Sequence, residues 1–306
     1  ELKTLHCYYH NGPTCPPQPV EPVPEGFDYD MWLGPAPWEP YTQRRCHGSF
    51  RWIYDYSGGQ LTDLGAHFAD LAQWAHGDEA TSPIHYEGWA EFPKDGLYNT
   101  PVRFEVTATY ADGVKMVMHD ETEPGRGPRG NRFVGTEGWV DVDDTGKVTA
   151  SSDAILRRLN AAQRGYEFME GHHRDFLECV RTRGRTIASP EVAHRSTTTC
   201  HIANICLRLG RKLQWDPAAE RFINDPEADR MLARATRSPW RLRKSEIRNS
   251  KSEPSTKVQK ANGQNGMPEG GQCFGSVCGC IGPTDWRVRR GRRRSCRRNR
   301  RPGRPR

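Results

Sequence analysis

The chain has 306 residues, with 45 Lys and Arg against 38 Asp and Glu and a net charge of +7. Residues 1–240 hold 26 basic and 34 acidic side chains, a balance of −8, while residues 241–306 hold 19 and 4, a balance of +15. The first 240 residues are therefore no basic polyanion binder, their aromatic content argues against a disordered polymer, and no apolar run approaches the roughly 18 residues of a membrane span.

Glu1 to His10 reads as a β-strand at once, with no initiator Met and no signal or transit peptide, so the chain is expected to be the later part of a longer protein. A connection over residues 11–48 follows and holds nine Pro, which exclude regular helix and central strand. Its aromatic stretch Asp28–Trp38 predicts packing onto the surface. Phe50–Tyr56 leads to Gly58-Gly59, and Leu64, Phe68, Leu71, Ala72 and Ala75 recur at helical spacing, so a helix is expected from Leu61 to His76, ended by Gly77. Six strands come next, at Ile84–Phe92, Val102–Tyr110, Val114–His119, Arg132–Val134, Trp139–Val142 and Lys147–Ala150. The turn signals Pro93–Gly96, Ala111–Gly113 and Asp144–Gly146 suggest an antiparallel meander.

The last third reads as helical. Phe168–Thr182 carries Phe176, Leu177 and Val180 on one face, and Pro190–Lys212 opens on a Pro-Glu turn and closes on Arg208, Arg211 and Lys212. The layout is α+β: a large, open, mostly antiparallel sheet with helices packed on one face. From Lys244 onward apolar periodicity stops, and 12 of the 20 residues 287–306 are Arg. Two regions follow: a folded domain over 1–242, and a low-complexity tail over 243–306 that cannot bury enough surface to fold alone. The tail carries no recognisable nucleic-acid fold, so its charge alone is a poor reason to expect nucleic-acid binding.

Gly125-Arg-Gly-Pro-Arg-Gly130 has the spacing of a dinucleotide-binding turn but lacks the strand before it and the helix after it, and reads as a hairpin loop. Cys273, Cys278 and Cys280 lack zinc-site spacing, and His172-His173 has no matching second pair, so no metal is expected. The ten cysteines show no disulfide framework. Cys200 and Cys206 read as buried thiols, which favours a reducing, cytoplasmic setting.

The constellation that carries chemistry is Gly58-Gly-Gln-Leu-Thr-Asp63-Leu-Gly-Ala-His67. Asp63 and His67 stand four apart on a helix start, so an imidazole suited to move a proton shares a face with a carboxylate that can orient it or bind a hydroxyl. Spacing alone equally suits a first-turn acid and a half-buried histidine. Arg51 and Trp52, just before the turn, suit hydrogen bonding and stacking on a sugar as well as ordinary packing. His201, with Cys200, Asn204 and Arg208 near it on its helix, fits a helix-packing histidine or a substrate contact.

Taken with Asp30-Met-Trp-Leu-Gly-Pro35, Asp70-x-x-Gln-Trp74, Gly171-His-His-Arg-Asp-Phe176, His194-Arg-Ser-Thr-Thr198, Leu207–Leu213, Trp215-Asp-Pro217 and Arg237–Leu242, this turn resembles the C-terminal domain of the Gfo/Idh/MocA oxidoreductases. The resemblance covers nearly all of residues 1–242. It implies an N-terminal Rossmann domain, not present in this chain, that binds NAD or NADP and brings an upstream catalytic Lys; this chain then supplies no cofactor-binding residues. It also implies that His67 is the catalytic base and Asp63 its partner in hydride transfer from a sugar or polyol. Two readings result: the substrate half of such an oxidoreductase, incomplete by itself, or a non-enzymatic sugar-binding or homo-oligomerisation module using its sheet face.

Overall fold

The computed structural model describes residues 1–77, 81–120, 129–163 and 172–240. All of these fall in one compact unit, Glu1–Asn249; the Arg-rich tail and most of the Gly125–Gly130 loop lie outside the described residues. The strands are β1 (Leu2–Tyr9), β2 (His85–Glu91), β3 (Arg103–Thr109), β4 (Lys115–Asp120), β5 (Gly130–Gly135), β6 (Gly138–Asp143), β7 (Val148–Ala150), β8 (Leu213–Asp216) and β9 (Arg221–Phe222). They form one sheet in the order β7-β6-β5-β1-β4-β3-β2-β8-β9.

Strands β2 to β4 pair antiparallel in chain order, as their turns dictate, and so do β5 to β7. The two sets are not one meander, however. β1 lies between them, parallel to β4 with Tyr8 opposite His119 and antiparallel to β5 with Tyr8 opposite Gly130. The reason lies in burial. Leu5, Cys7 and Tyr9 are fully buried on one face of β1 and Tyr8 is buried on the other, so this strand needs a neighbour on each side and cover on both faces. The sheet is thus mixed, and antiparallel apart from that one pair.

The helices are α1 (Tyr29–Leu33), α2 (Gln60–Asp63), α3 (Gly65–His76), α4 (Asp153–Gln163), α5 (His172–Thr182), α6 (Pro190–Leu209) and α7 (Pro226–Arg230). The main core joins Leu5, Cys7, Tyr9, Phe104, Val106, Ala108, Met116 and Met118 of the sheet to Phe68, Ala69 and Ala72 of α3 and Ile202, Ala203 and Cys206 of α6. Helix α6 begins where Ser189 accepts a hydrogen bond from the Val192 amide, with Pro190 in the first turn. It ends at Gly210 in the left-handed region, three residues short of the expected Lys212, which leaves Leu213 free to enter β8. Helices α4 and α7 and strands β8 and β9 escaped the sequence reading. Ile155, Leu156 and Leu159 give α4 too little periodicity, and the others are only two to five residues long.

Helix α3 buries Gly65, Phe68, Ala69, Ala72 and Gln73, whereas Leu71 and Trp74 face outward. Close approach to α6 is what small residues permit here: a Cβ on Gly65 would come within 2.9 Å of the Cys200 Sγ. The motif residues around it serve this contact. Ser196 Oγ donates to Asp70 at 2.6 Å, and the buried Gln73 amide donates to the Thr81 carbonyl at 2.9 Å. Burial pushes the Cys206 thiol up to about 11 and the Cys200 thiol up as well, so both are inert small hydrophobes.

The long connection before Phe50 does pack, as its aromatics suggest, but it contains the one-turn α1 and two 3-10 turns. Tyr29, Leu33, Tyr41 and Cys46 make a second small core with Phe27, Trp32 and Tyr56, while Trp38 stays exposed. Arg237 clasps this arm. Its guanidinium donates to Asp30 Oδ1 at 2.6 Å and to the Gly34 carbonyl at 2.9 Å, which ties the first family-like motif to the last. Phe176, Leu177 and Val180 do share α5, but they are exposed.

On the face of the sheet opposite α3 and α6, His6, Tyr8 and His119 cluster, with the Tyr8 and His119 ring centroids 4.0 Å apart. His119 is buried and its Nε2 has no hydrogen-bond partner. Burial first, then the His6 charge, pushes its pKa down to about 4. An unfolded histidine titrates near 6.5. Between those values the unfolded chain binds a proton that the native chain refuses, so stability falls as pH falls from about 6.5 to about 4 and then levels off. The loss reaches up to about 3 kcal/mol. Urea midpoints measured across this range should flatten in His119→Asn; an unchanged pH slope in that variant refutes the assignment.

Candidate active site

Residues before α2 form a tight scaffold. Tyr54 N donates to Asn99 Oδ1 at 2.6 Å, Asn99 N donates to the Trp52 carbonyl at 3.0 Å, and Gly59 N donates to the Arg51 carbonyl at 3.0 Å. Gly59 has φ +73° and ψ −159°, a region that is open essentially to glycine alone. There is no room for a side chain either. A Cβ at Gly59 would lie 2.6 Å from the Thr100 Cβ, and one at Gly58 would lie 2.5 Å from Thr62 Cγ2 and 2.8 Å from Asn204 Nδ2. The turn is therefore wedged between the Thr100 loop and α6, and it fixes where α2 begins.

The helix expected from Leu61 to His76 is drawn in two pieces, α2 and α3, meeting at Leu64. Leu64 keeps helical dihedrals, and the His67 amide donates to the Leu64 carbonyl at 3.0 Å, a locally tightened turn. Asp63 and His67 thus remain one turn apart. His67 is exposed, and its imidazole makes no hydrogen bond with the described residues. Asp63 is half-buried, and its Oδ2 sits 3.3 Å from Arg51 Nε. Asp63 is held by Arg51 rather than by His67. Arg51 in turn lies 5.8 Å from the Trp52 ring centroid, so Arg51, Trp52 and Asp63 are brought together at the turn. Trp52 also packs on the small core of Cys15, Ile53 and Tyr98.

His201 lies on α6. It is exposed by area, and crowding by nearby protein, followed by the charge of Arg234, pushes its pKa down. Arg234, Tyr54, Asn99 and Thr100 were missed from sequence. Nothing in their spacing points to the turn, because they reach it from separate loops. Arg208 was visible as a helix neighbour of His201.

This arrangement can do proton chemistry on a hydroxyl. An exposed imidazole on a helix start can take and return a proton, and a carboxylate fixed by a guanidinium can accept a hydrogen bond from a neighbouring hydroxyl. Gly125–Pro128 of the G-x-G-x-x-G stretch lie outside the described residues, and Gly130 opens strand β5 rather than a helix. No group of three or more His, Cys, Asp or Glu side chains among the described residues is placed to hold a metal ion.

Residues 8–242 match the oxidoreductase family described as the Gfo/Idh/MocA C-terminal alpha/beta domain. No curated protein matches the chain. Solved structures similar to it include an NAD-binding protein from Listeria innocua at 12% identity and TM-score 0.43, covering 70% of this chain and 55% of that one. The WlbA dehydrogenase from Bordetella pertussis, in complex with NADH and UDP-GlcNAcA, is similar at 11% identity and TM-score 0.43, covering 70% and 55%. An aldose-aldose oxidoreductase from Caulobacter crescentus complexed with glycerol gives 12% identity and TM-score 0.42, again covering 70% and 55%. The chain spans about half the length of these structures. With the family match covering most of its length, the chain belongs to the Gfo/Idh/MocA oxidoreductases as their C-terminal α/β domain.

Proposed function

We propose that this chain is the substrate half of an oxidoreductase that acts on a sugar or polyol hydroxyl with NAD or NADP. The observation that supports it is the exposed His67 imidazole one turn after an Arg51-held Asp63, on a helix start fixed by a glycine turn that tolerates no side chain. His67 removes the proton from the carbinol hydroxyl and returns it in the reverse direction. Asp63, its charge oriented by Arg51, accepts a hydrogen bond from the same or an adjacent hydroxyl and holds it in line. Trp52 offers an apolar ring face for a sugar, and His201, on α6 one turn before the Asn204 that abuts Gly58, is a further contact. A nicotinamide nucleotide supplies the hydride acceptor when bound; its holding residues belong to a dinucleotide-binding domain rather than to this one. We infer a reducing, cytoplasmic setting, in keeping with the six cysteines among the described residues, all free; no helix among the described residues is long and apolar enough to cross a membrane.

Joining this domain to a dinucleotide-binding domain should give NAD- or NADP-linked oxidation of a sugar or polyol. Absence of turnover across a panel of such substrates with both nucleotides would overturn the reading.

The open face of the sheet favours self-association as well. It carries the exposed Trp89 beside Glu105, and the Arg132 guanidinium stacked 4.5 Å from the Trp139 ring centroid. Flat faces with aromatic and Arg side chains are typical of interfaces. Sedimentation velocity should show a dimer or larger oligomer that Trp89→Glu shifts toward monomer. A wild-type monomer at all concentrations rules this surface out.

A further inference from the structure

Helix α6 sets His201, Asn204 and Arg208 at spacings of three and four, on one face next to the Gly58-Gly59 turn. Asn204 is the residue that abuts Gly58. One turn further along, the Arg208 Cζ lies 3.2 Å from the Tyr54 ring centroid, and the Arg234 Cζ lies 4.4 Å from that same centroid. Arg234 is anchored to the turn, donating from Nη2 to the Ser57 carbonyl at 3.4 Å.

Two guanidiniums on one ring repel each other, and no carboxylate among the described residues forms an ion pair with either. Arg51, Arg103, Arg132, Arg195, Arg211 and Arg237 each pair with a carboxylate. Arg208 and Arg234 have no such partner. Asp55 is the acid whose field reaches Arg208, without forming an ion pair, and burial first, then the Arg234 charge, pushes the Arg208 and His201 pKa values down. Polar atoms around the turn are also left unsatisfied. Arg208 Nε, Asn204 Oδ1 and Thr100 Oγ1 are all buried without a hydrogen-bond partner, and Asn204 and Thr100 are almost fully buried as residues. Native structures rarely leave such atoms unpaired without a ligand or water to serve them. A guanidinium stacked on an aromatic ring keeps its N–H edge free for a planar, charged acceptor.

We propose that Arg208 and Arg234, braced on Tyr54 beside Asn204 and His201, form a subsite for an anionic group, a carboxylate or a phosphate, carried by the sugar that the Asp63–His67 turn handles. The anion sits between the two guanidiniums and offsets their repulsion. This deepens the function proposed above and rests on it for the sugar, but not for the anion.

The test is calorimetric binding to this chain at low salt of four probes: glucuronate, glucose 6-phosphate, glucose and inorganic phosphate. One or both charged sugars should bind roughly tenfold or more tightly than glucose, the increment expected of charge-assisted hydrogen bonds. Arg208→Gln together with Arg234→Gln should reduce that advantage to nothing, and Arg→Lys at both positions should keep part of it. The Arg-rich residues 287–306 are unchanged in these variants, so their contribution cancels. Arg234 is exposed, so Arg234→Gln alone serves if the double variant fails to fold. Comparing glucuronate with glucose 6-phosphate separates carboxylate from phosphate. Equal affinity for charged and neutral sugars, or an advantage that survives in the variants, overturns the subsite and leaves the sugar reading standing. Phosphate binding that the variants abolish, with no sugar bound at all, upholds the anion site and counts against the sugar reading.

Discussion

Turnover of the joined, nucleotide-binding enzyme is expected to fall by roughly 10²- to 10⁴-fold in His67→Ala, the range that a positioned acid–base group contributes. The unfolding transition should hardly move. The His67 imidazole lies on the outward side of α3, forms no hydrogen bond with the described residues and takes no part in the core, so its removal costs packing almost nothing. That combination separates a chemical role from a structural one. A His67→Ala enzyme that keeps near-normal turnover would remove His67 from the mechanism. Asp63→Asn gives a complementary readout: Arg51 loses its charged partner, so KM and kcat should both worsen with the fold intact.

Gly59→Ala is expected to destabilise the domain by roughly 2–5 kcal/mol, combining a disfavoured backbone with an overpacked contact. The added methyl must occupy a conformation closed to L residues and enter space that Thr100 fills at 2.6 Å. The strain is not local to one residue. Gly59 N holds the Arg51 carbonyl, and the Gly59 carbonyl accepts from the amides of Thr62 and Asp63, so relief by shifting the turn moves Arg51 and Asp63 together. Guanidinium unfolding should show the lost stability, and the double variant Gly59→Ala with Thr100→Ala or Thr100→Gly should recover part of it. A Gly59→Ala midpoint equal to wild type would show that the turn is softer than its geometry implies.

Local signals carried the fold reading a long way. Alternating and helical apolar patterns placed β2 to β7, α3 and α6 within a few residues, because each is stabilised by contacts its own periodicity announces. What escaped was non-local. The insertion of β1 between β4 and β5 is a pairing across the whole sheet, and no turn residue encodes it. The stripe read from sequence named Leu71 and Ala75, which are exposed, and missed Gly65 and Ala69, which are buried but too small to register as hydrophobic anchors. At the site, the Gly58-Gly59 turn, Asp63 and His67 were legible because the chemistry needs them close in sequence. Arg51 as the partner of Asp63 was not, since four-residue helical spacing suggested His67 instead. Arg234 and Tyr54 come together only through the tertiary fold.

The placement of β1 also sets the order in which the domain can assemble. Glu1 bonds to Thr136, 135 residues away in the chain, and the strand between them in the sheet pairs with partners almost as distant. The meanders β2–β4 and β5–β7 close short loops and can form early, each with an inner edge, β4 or β5, that only β1 covers. Only the arrival of β1 joins them, so the ends of a very long loop must meet before the sheet becomes continuous. High contact order of this kind slows folding. Until that step is complete, β4 and β5 present bare strand edges to other chains, and aggregation competes with the closing of the sheet.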